Sequence, residues 1–518
     1  MIGGPFGSKP GDNAGEPGGE NAPVPAASGA EAPPVVVRRA SGGFTSPQRV
    51  PAQSVVVVVP ANHFVALDRI AARSPQDADQ NAEVIVACAG TPTHATVTAI
   101  HAHLRNAQFL LAPAQVDKGD LRALAMSRAT GDIVTLIDGV GSSANGAERE
   151  AGVSAVMSAP PAVSVIVPVR NGSLMLAEAL AAIAASDVAR EAYELIVVDD
   201  ASTNGSLATA SRYADTIVRL NGRPRGAAYA RNRGADRARG NILVFVDSDV
   251  RIRPDTLSRL LATFKDSPLV AAVAASSDGS GDGGVPTQYW NLLHQFAAQT
   301  HGGYGIQFEP ACGAVLRDAF VEAGKYNEWM FRRPSVEGVD LGQRLHRDGR
   351  RVLLRTDVVV SRLKPHSLTG VLATAWRRSA LLTRTLSYSG TRPHARADVV
   401  HTLNSVKGFA AIATCGLLVW TAFRPSQLLV GLSMAGVATV LWANLRAFRF
   451  LARRRGLTFG VAAAPLHVAT QMAAASGRCA GWIVRNAIGE PSPDATTQAF
   501  AELGVEIWPP VPRKQPSR

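Results

Sequence analysis

Asp247-Ser248-Asp249 places two carboxylates one residue apart, directly after the apolar run Ile242-Leu243-Val244-Phe245-Val246. Paired carboxylates are hard oxygen ligands for Mg²⁺ or Mn²⁺, and such an ion neutralises a diphosphate. D-x-D also occurs in ordinary surface turns, so its setting matters. Here a buried strand would carry both acids to the edge of a sheet. Asp199-Asp200 ends the run Glu194-Leu195-Ile196-Val197-Val198 in the same way.

The elements that must position these acids are legible. Residues 164–168 (SVIVP) form a short continuous apolar run of the buried parallel-strand type. A helical pattern follows through Leu174, Leu176, Ala177, Leu180 and Ile183. Residues 227–239 read as a further helix, and Gly240 opens the strand that ends at Asp247. This β-α-β-α-β order predicts an α/β fold with a doubly wound sheet. Ligands of such sheets bind beyond the carboxyl ends of the strands, where both acidic pairs lie.

Residues 54–140 read as a shorter copy of residues 164–249. The run SVVVVVP at 54–60 mirrors SVIVP at 164–168, and Glu83-Val84-Ile85-Val86 mirrors Glu194-Leu195-Ile196-Val197. GDIVTLID at 131–138 mirrors GNILVFVD at 240–247. The copies differ at the strand ends. Cys88-Ala89 stands in place of Asp199-Asp200, and Asp138-Gly139-Val140 in place of Asp247-Ser248-Asp249. The first unit is therefore expected to bind no metal-diphosphate and to serve packing or regulation.

With 518 residues there is room for two or three domains. A net charge of +12 is compatible with nucleic acid, an anionic membrane face or a phosphorylated substrate as partner. Aromatics make up only 6%, and no zinc-finger spacing, RNP-type motif or basic heptad helix is present, so no nucleic acid is expected. Cys88, Cys312, Cys415 and Cys479 lie far apart and form no CxxC, which suggests neither a disulfide framework nor a zinc site. The first fifty or so residues lack a secretory pattern and are rich in Gly, Pro, Ala, Ser and Glu, as in a disordered leader.

Near the C-terminus, residues 408–423 and 426–445 are uncharged and mostly apolar, separated by Arg424-Pro425. The second is about long enough to span a bilayer, and the first is short. Arginines crowd both outer flanks, at 377, 378, 384, 392 and 396 and again at 446, 449, 453, 454 and 455. The positive-inside bias then predicts a multi-pass hairpin in the cell membrane with both ends, and the soluble domain, cytoplasmic. Residues 457–477 either span as well or lie in the interface.

Residues 164–388 resemble the family 2 glycosyltransferases of the GT-A fold. The resemblance rests on SVIVPVRNG (164–172), ELIVVDDAST (194–203), RGAAYARNRGADRARGNILVFVDSDV (225–250), YWNLLHQ (289–295), CGAVLRDAFVEAGKYNE (312–328) and VEGVDLGQRLHRDGRRVLL (336–354). It implies a doubly wound mixed sheet and a nucleotide-sugar donor. It also implies that Asp199 or Asp200 binds the nucleotide base, with Arg231 and Asn232 beside the nucleotide. Asp247 would contact ribose or metal, and Asp249 would ligate an Mn²⁺ or Mg²⁺ that bridges the donor diphosphate. Pro168, Arg170 and Asn171 would line the loop after the first strand.

The acceptor side departs from the family pattern E-D-x-E-L-G-x-R-L. This chain reads Glu337-Gly338-Val339-Asp340-Leu341-Gly342-Gln343-Arg344-Leu345, with glycine where the family carries its general base. Glu337 is the first candidate to replace it and Asp340 the second. Beyond this segment Ser361-Arg362-Leu363-Lys364-Pro365-His366 lacks the family's histidine before a lysine, and Glu309 replaces an aromatic before Pro310-Ala311-Cys312-Gly313. No Q-x-x-R-W segment is present, which speaks against a processive synthase.

The resulting expectation is a leader at 1–50, a degenerate GT-A-like half domain at 51–160, a GT-A domain at 161–400, membrane helices at 401–490 and a tail at 491–518. The chain would be an inverting glycosyltransferase acting on a lipid-linked or cell-envelope acceptor at a membrane. The alternative is a catalytically impaired relative that binds nucleotide sugar or acts as a scaffold.

Overall fold

A computed structural model describes residues 36–38, 53–59, 83–90, 97–98, 107–138, 161–281, 283–309, 311–331, 336–386 and 395–488. The expected tail, Gly139-Val140 and most of the expected leader lie outside the described residues. Within the leader, however, Val36–Arg38 forms strand β1, so that segment is not wholly without structure.

The first unit contains β2 (Gln53–Val59), β3 (Glu83–Ala89), β4 (Ala107–Ala112), helix α1 (Lys118–Arg128) and β5 (Ile133–Asp138). The second contains β6 (Val163–Val169), α2 (Ser173–Ala184), β7 (Tyr193–Asp199), α3 (Ser206–Ser211), β8 (Thr216–Arg219), α4 (Ala227–Arg237) and β9 (Ile242–Val246). Strands β4-β3-β2-β5 are all parallel, and β8-β7-β6-β9 repeat that order, also all parallel. The two sets meet edge to edge, because β5 pairs antiparallel with β8. One continuous mixed sheet results.

Equivalent hydrogen bonds fasten the base of each set. Ser54 Oγ donates to Glu83 at 2.7 Å and accepts from the Gly131 amide at 2.8 Å. Ser164 Oγ donates to Glu194 at 2.6 Å and accepts from the Gly240 amide at 2.9 Å. Both glycines are needed there. A Cβ at Gly131 would lie 2.7 Å from the Ser54 nitrogen, and one at Gly240 would lie 2.6 Å from the Val163 carbonyl carbon.

The second unit continues through β10 (Val250–Arg251), α5 (Thr256–Asp266), β11 (Val270–Ser277), α6 (Val285–His301), β12 (Gly303–Gly305), β13 (Cys312–Leu316), α7 (Arg317–Glu322), α8 (Glu337–Arg347) and β14 (Arg351–Arg362). From β9 the sheet runs β13-β11-β14-β10, with β13 antiparallel to both its neighbours. Strand alternation explains why both faces are apolar. Val165, Val167, Leu195 and Val197 pack with Leu176, Leu180 and Ile183 of α2. Ile166, Ile196, Val198 and Phe245 pack on the opposite face with Ala228 and Ala230 of α4 and Phe320 of α7.

Four helices complete the chain: α9 (Leu368–Leu386), α10 (Ala395–Phe423), α11 (Gln427–Arg455) and α12 (Leu457–Ile488). Val406–Phe423 and Gln427–Arg455 are long and apolar enough to cross a membrane. Their outer surface is apolar, with Trp420, Phe423, Leu428, Met434 and Trp442 exposed. Helix α12 packs along α9 through Gly477 and Gly481. A Cβ on these glycines would lie 2.2 Å and 2.3 Å from the carbonyl oxygens of Trp376 and Ala380. Small residues four apart let two helix backbones touch in this way.

Candidate active site

The carboxyl ends of β6, β7 and β9 converge on one rim. Asp247 follows β9, with 28% of its side chain exposed, and its backbone amide donates to the Ala311 carbonyl at 3.0 Å. The Val250 amide returns to the Asp247 carbonyl at 3.0 Å, closing a tight turn that sets Asp249 beside Asp247. Burial and the neighbouring Asp247 push the Asp249 carboxyl above its usual range, while Arg362 and Lys364 oppose the shift. Two crowded carboxylates of this kind are stabilised by an added cation. The loop after β6 lies over them, since a Cβ on Gly172 would come within 3.5 Å of the Ser248 hydroxyl.

Arg231 lies beneath the pair and is almost wholly buried. Its guanidinium donates to Asp247 at 2.5 Å and to Glu337 at 3.0 Å, and sits 5.6 Å from the centre of the Tyr326 ring. Burial alone would lower its pKa, but the Asp247 and Glu337 charges outweigh that and hold the cation firmly charged. The guanidinium thus ties the β9 acid to the start of α8.

Several residues expected at the nucleotide are spent elsewhere. Both Asp200 oxygens accept backbone amides, from Arg225 at 2.8 Å and Gly226 at 2.7 Å, where the chain turns into α4 with Gly226 at φ 98°. Asp200 therefore fastens the entry to that helix. Asn232 donates to the Tyr326 carbonyl at 2.9 Å and to Glu328 at 2.8 Å, and accepts the Tyr326 amide at 3.0 Å. Its amide holds the segment before α8 and has little left for a nucleotide. Asn171 accepts from the Thr203 amide at 2.8 Å, so it joins the loops after β6 and β7. Pro168 is buried in β6 opposite Val198, and Arg170 is exposed on the rim.

Asp199 is different. One of its oxygens accepts the Ser202 amide at 3.2 Å, while Oδ1 is buried with no partner among the described residues. Burial raises its pKa, partly offset by Ser202. An orphaned buried acceptor on such a rim leaves room for a hydrogen bond from a ligand.

The two acids expected to replace the base are both engaged by cations. Asp340 is buried and accepts from Arg344 at 2.7 Å and Asn327 at 2.7 Å, an internal clamp of α8. Glu337 is 2% exposed and accepts from Arg231. Neither carboxylate faces the rim free. Sequence spacing could not reveal this, because the partners lie on other elements.

Among the described residues no cluster of three or more His, Cys, Asp or Glu side chains forms a metal site. Asp247 and Asp249 nevertheless suit a divalent ion that takes its remaining ligands from phosphate and water, as Mg²⁺ commonly does.

Residues 164–324 match the domain described as Glycosyl transferase family 2. An N-acetylglucosaminyltransferase of Rhizobium leguminosarum bv. viciae is 31% identical over 198 residues, 35% of this chain and 45% of that protein. The poly(ribitol-phosphate) beta-N-acetylglucosaminyltransferase TarS of Staphylococcus aureus is 32% identical over 127 residues, 24% of this chain and 22% of that protein. This chain thus spans less than half the length of either relative. Among solved structures, a mannosyltransferase from Pyrobaculum calidifontis in complex with GDP-Man and Mn²⁺ overlays with TM-score 0.45 at 22% identity, covering 62% of this chain and 88% of that one. Residues 164–324 of this chain thus match a glycosyl transferase family 2 domain, and they include β6 to β9 with Asp199, Arg231, Asp247 and Asp249.

Proposed function

We propose that this chain is an inverting glycosyltransferase that moves a sugar from a nucleotide-diphosphate donor to an acceptor hydroxyl. The observation that carries the reading is the Asp247–Asp249 pair at the end of β9 inside the family 2 domain, braced by the buried Arg231. Asp247 and Asp249 would hold Mn²⁺ or Mg²⁺ on the donor diphosphate. The bound ion would supply Lewis-acid stabilisation of the departing nucleoside diphosphate. Asp199 would accept a hydrogen bond from the nucleotide base through its unpartnered oxygen. Arg231 keeps Asp247 oriented, and Asp200, Asn171 and Asn232 hold the loops of the rim. Two relatives are named for N-acetylglucosaminyl transfer, so a nucleotide sugar carrying N-acetylglucosamine is the first donor to test.

The acceptor is lipid-linked or part of the cell envelope. Support comes from the two apolar helices and the exposed aromatic and aliphatic side chains along them. The arginines at the far end of α11 favour a cytoplasmic soluble domain, held against anionic lipid. Calorimetric titration of UDP-N-acetylglucosamine, UDP-glucose and GDP-mannose into the detergent-solubilised chain, with and without Mn²⁺, tests the site. At least one donor should bind in a metal-dependent way, and Asp249→Ala should abolish that dependence. Binding indifferent to both metal and substitution would overturn the assignment. Binding without turnover would favour a nucleotide-sugar-binding protein.

A further inference from the structure

The start of α8 holds glycine where the family carries its base, and Glu337 and Asp340 are locked in buried ion pairs. Glu328 accepts from Asn232, and Asp278 accepts from Ser361 at 2.5 Å and from the Ser280 amide at 2.8 Å. Glu309 is the most exposed of these carboxylates. It stands just before β13, two residues from Ala311, whose carbonyl accepts the Asp247 amide. Its side chain is 32% exposed, and its carboxylate pairs with Arg362 at 3.3 Å.

Arg362 faces both sides of the site. β14 pairs antiparallel with β10, setting Arg362 opposite Val250, and the Leu363 amide donates to the Asp249 carbonyl at 2.8 Å. Its charge therefore acts on Asp249 as well as on Glu309. Its Nε is buried with no partner among the described residues, a donor left for an anionic ligand. Arg378 of α9 and His294 of α6 complete the surroundings of Glu309. Glu309 thus lies at the rim beside the acidic pair, on a loop that continues into β13, with two cations to orient it.

We propose that Glu309 is the base that takes the proton of the acceptor hydroxyl, a role that rests on the glycosyltransferase reading above. As the acceptor oxygen bonds to the anomeric carbon, its proton passes to a Glu309 oxygen. The bond from that carbon to the diphosphate oxygen breaks, and the electron pair leaves with the nucleoside diphosphate. Glu309 then returns the proton to water. Arg362 is a positioning residue in this scheme, holding Glu309 while its other face serves the diphosphate.

The test measures nucleoside diphosphate release by the full chain in detergent, with octyl glucoside and water as probe acceptors. Glu309→Gln should lower kcat by about 10²–10⁴-fold, the range of a lost general base. The donor KM and the affinity for the nucleoside diphosphate with Mn²⁺ should stay within about threefold, as expected of a base that makes no ground-state contact with the donor. Glu309→Ala should regain turnover in added formate, which a structural role would not produce. A Glu309→Gln enzyme within tenfold of wild-type kcat would overturn the proposal. So would loss of nucleotide affinity along with kcat, since Glu309 would then be structural. A wild-type chain that turns over none of the donors overturns the glycosyltransferase reading instead.

Discussion

The two tandem units have the same strand order, the same Ser-Glu-Gly fastening at their base and a buried arginine nine residues before the glycine, Arg122 in one and Arg231 in the other. They differ where the strands end. Near the end of β3 stands Cys88, whose thiol burial pushes up to about 12, so it is neutral and packs as an apolar group. At the same position β7 ends on Asp199, a buried carboxyl with an orphaned oxygen. Arg122 spends its guanidinium on the Ala214 carbonyl and so ties the first unit to the second. Arg231 spends its own on Asp247 and Glu337. One scaffold thus appears once with a lone acid, Asp138, at these strand ends and once with the pairs Asp199-Asp200 and Asp247–Asp249. Where a sequence breaks the local rule against buried charge, a ligand is the usual reason.

The largest difference between the units should be in turnover. Asp247→Ala is expected to reduce nucleoside diphosphate release by at least about 10²-fold, the scale of a lost charge-stabilising group. Asp138→Ala, its counterpart, should leave the rate within about twofold. Equal losses would show that the first unit takes part in the chemistry and would dissolve the contrast.

Stability separates the two arginines next. Arg231→Met leaves Glu337 buried without its cation, a change of about 3–5 kcal/mol. Arg122→Met leaves a backbone carbonyl without its donor, about 1–3 kcal/mol. Denaturant melts of the two variants should therefore rank Arg231→Met as the weaker protein. The reverse order would mean that the junction between units carries more of the fold than the site does.

The smallest effects should be alike. Ser54→Ala and Ser164→Ala each remove a hydroxyl that serves a glutamate and a glycine amide, so each should destabilise by about 1–3 kcal/mol. A gap above about 2 kcal/mol between them, measured in the same melts, would show that the shared hydrogen bonds do unequal work despite their common geometry.

Much of this was legible in the residues. The apolar runs ending at Asp199 and Asp247 gave their strands, because a buried strand needs a continuous apolar run and a polar end. The repeated Ser, Glu and Gly positions exposed the kinship of the two units. The pairing of β5 with β8 was not legible, since it depends on which edges remain bare once both sets have formed. Nor did spacing reveal that Asp200 fastens a helix entry or that Asn232 grips Tyr326, a partner 94 residues away. The C-terminal helices run past the uncharged stretches that announced them, since arginines at 453–455 stay within α11. Arginine is a good helix former, so its charge ends the apolar stretch without ending the helix.

The contact of Gly477 and Gly481 with α9 has a mechanical meaning. Two backbones pressed together at points one turn apart leave no room for a side chain between them, so α9 and α12 meet along a close seam. Arg378 lies on α9 between the two carbonyls that receive the glycines, at Trp376 and Ala380. The seam reaches the site through Arg378, the α9 cation beside Glu309. The position of that cation is then fixed by two missing methyl groups, since a larger residue at 477 or 481 would push α9 and its arginine away.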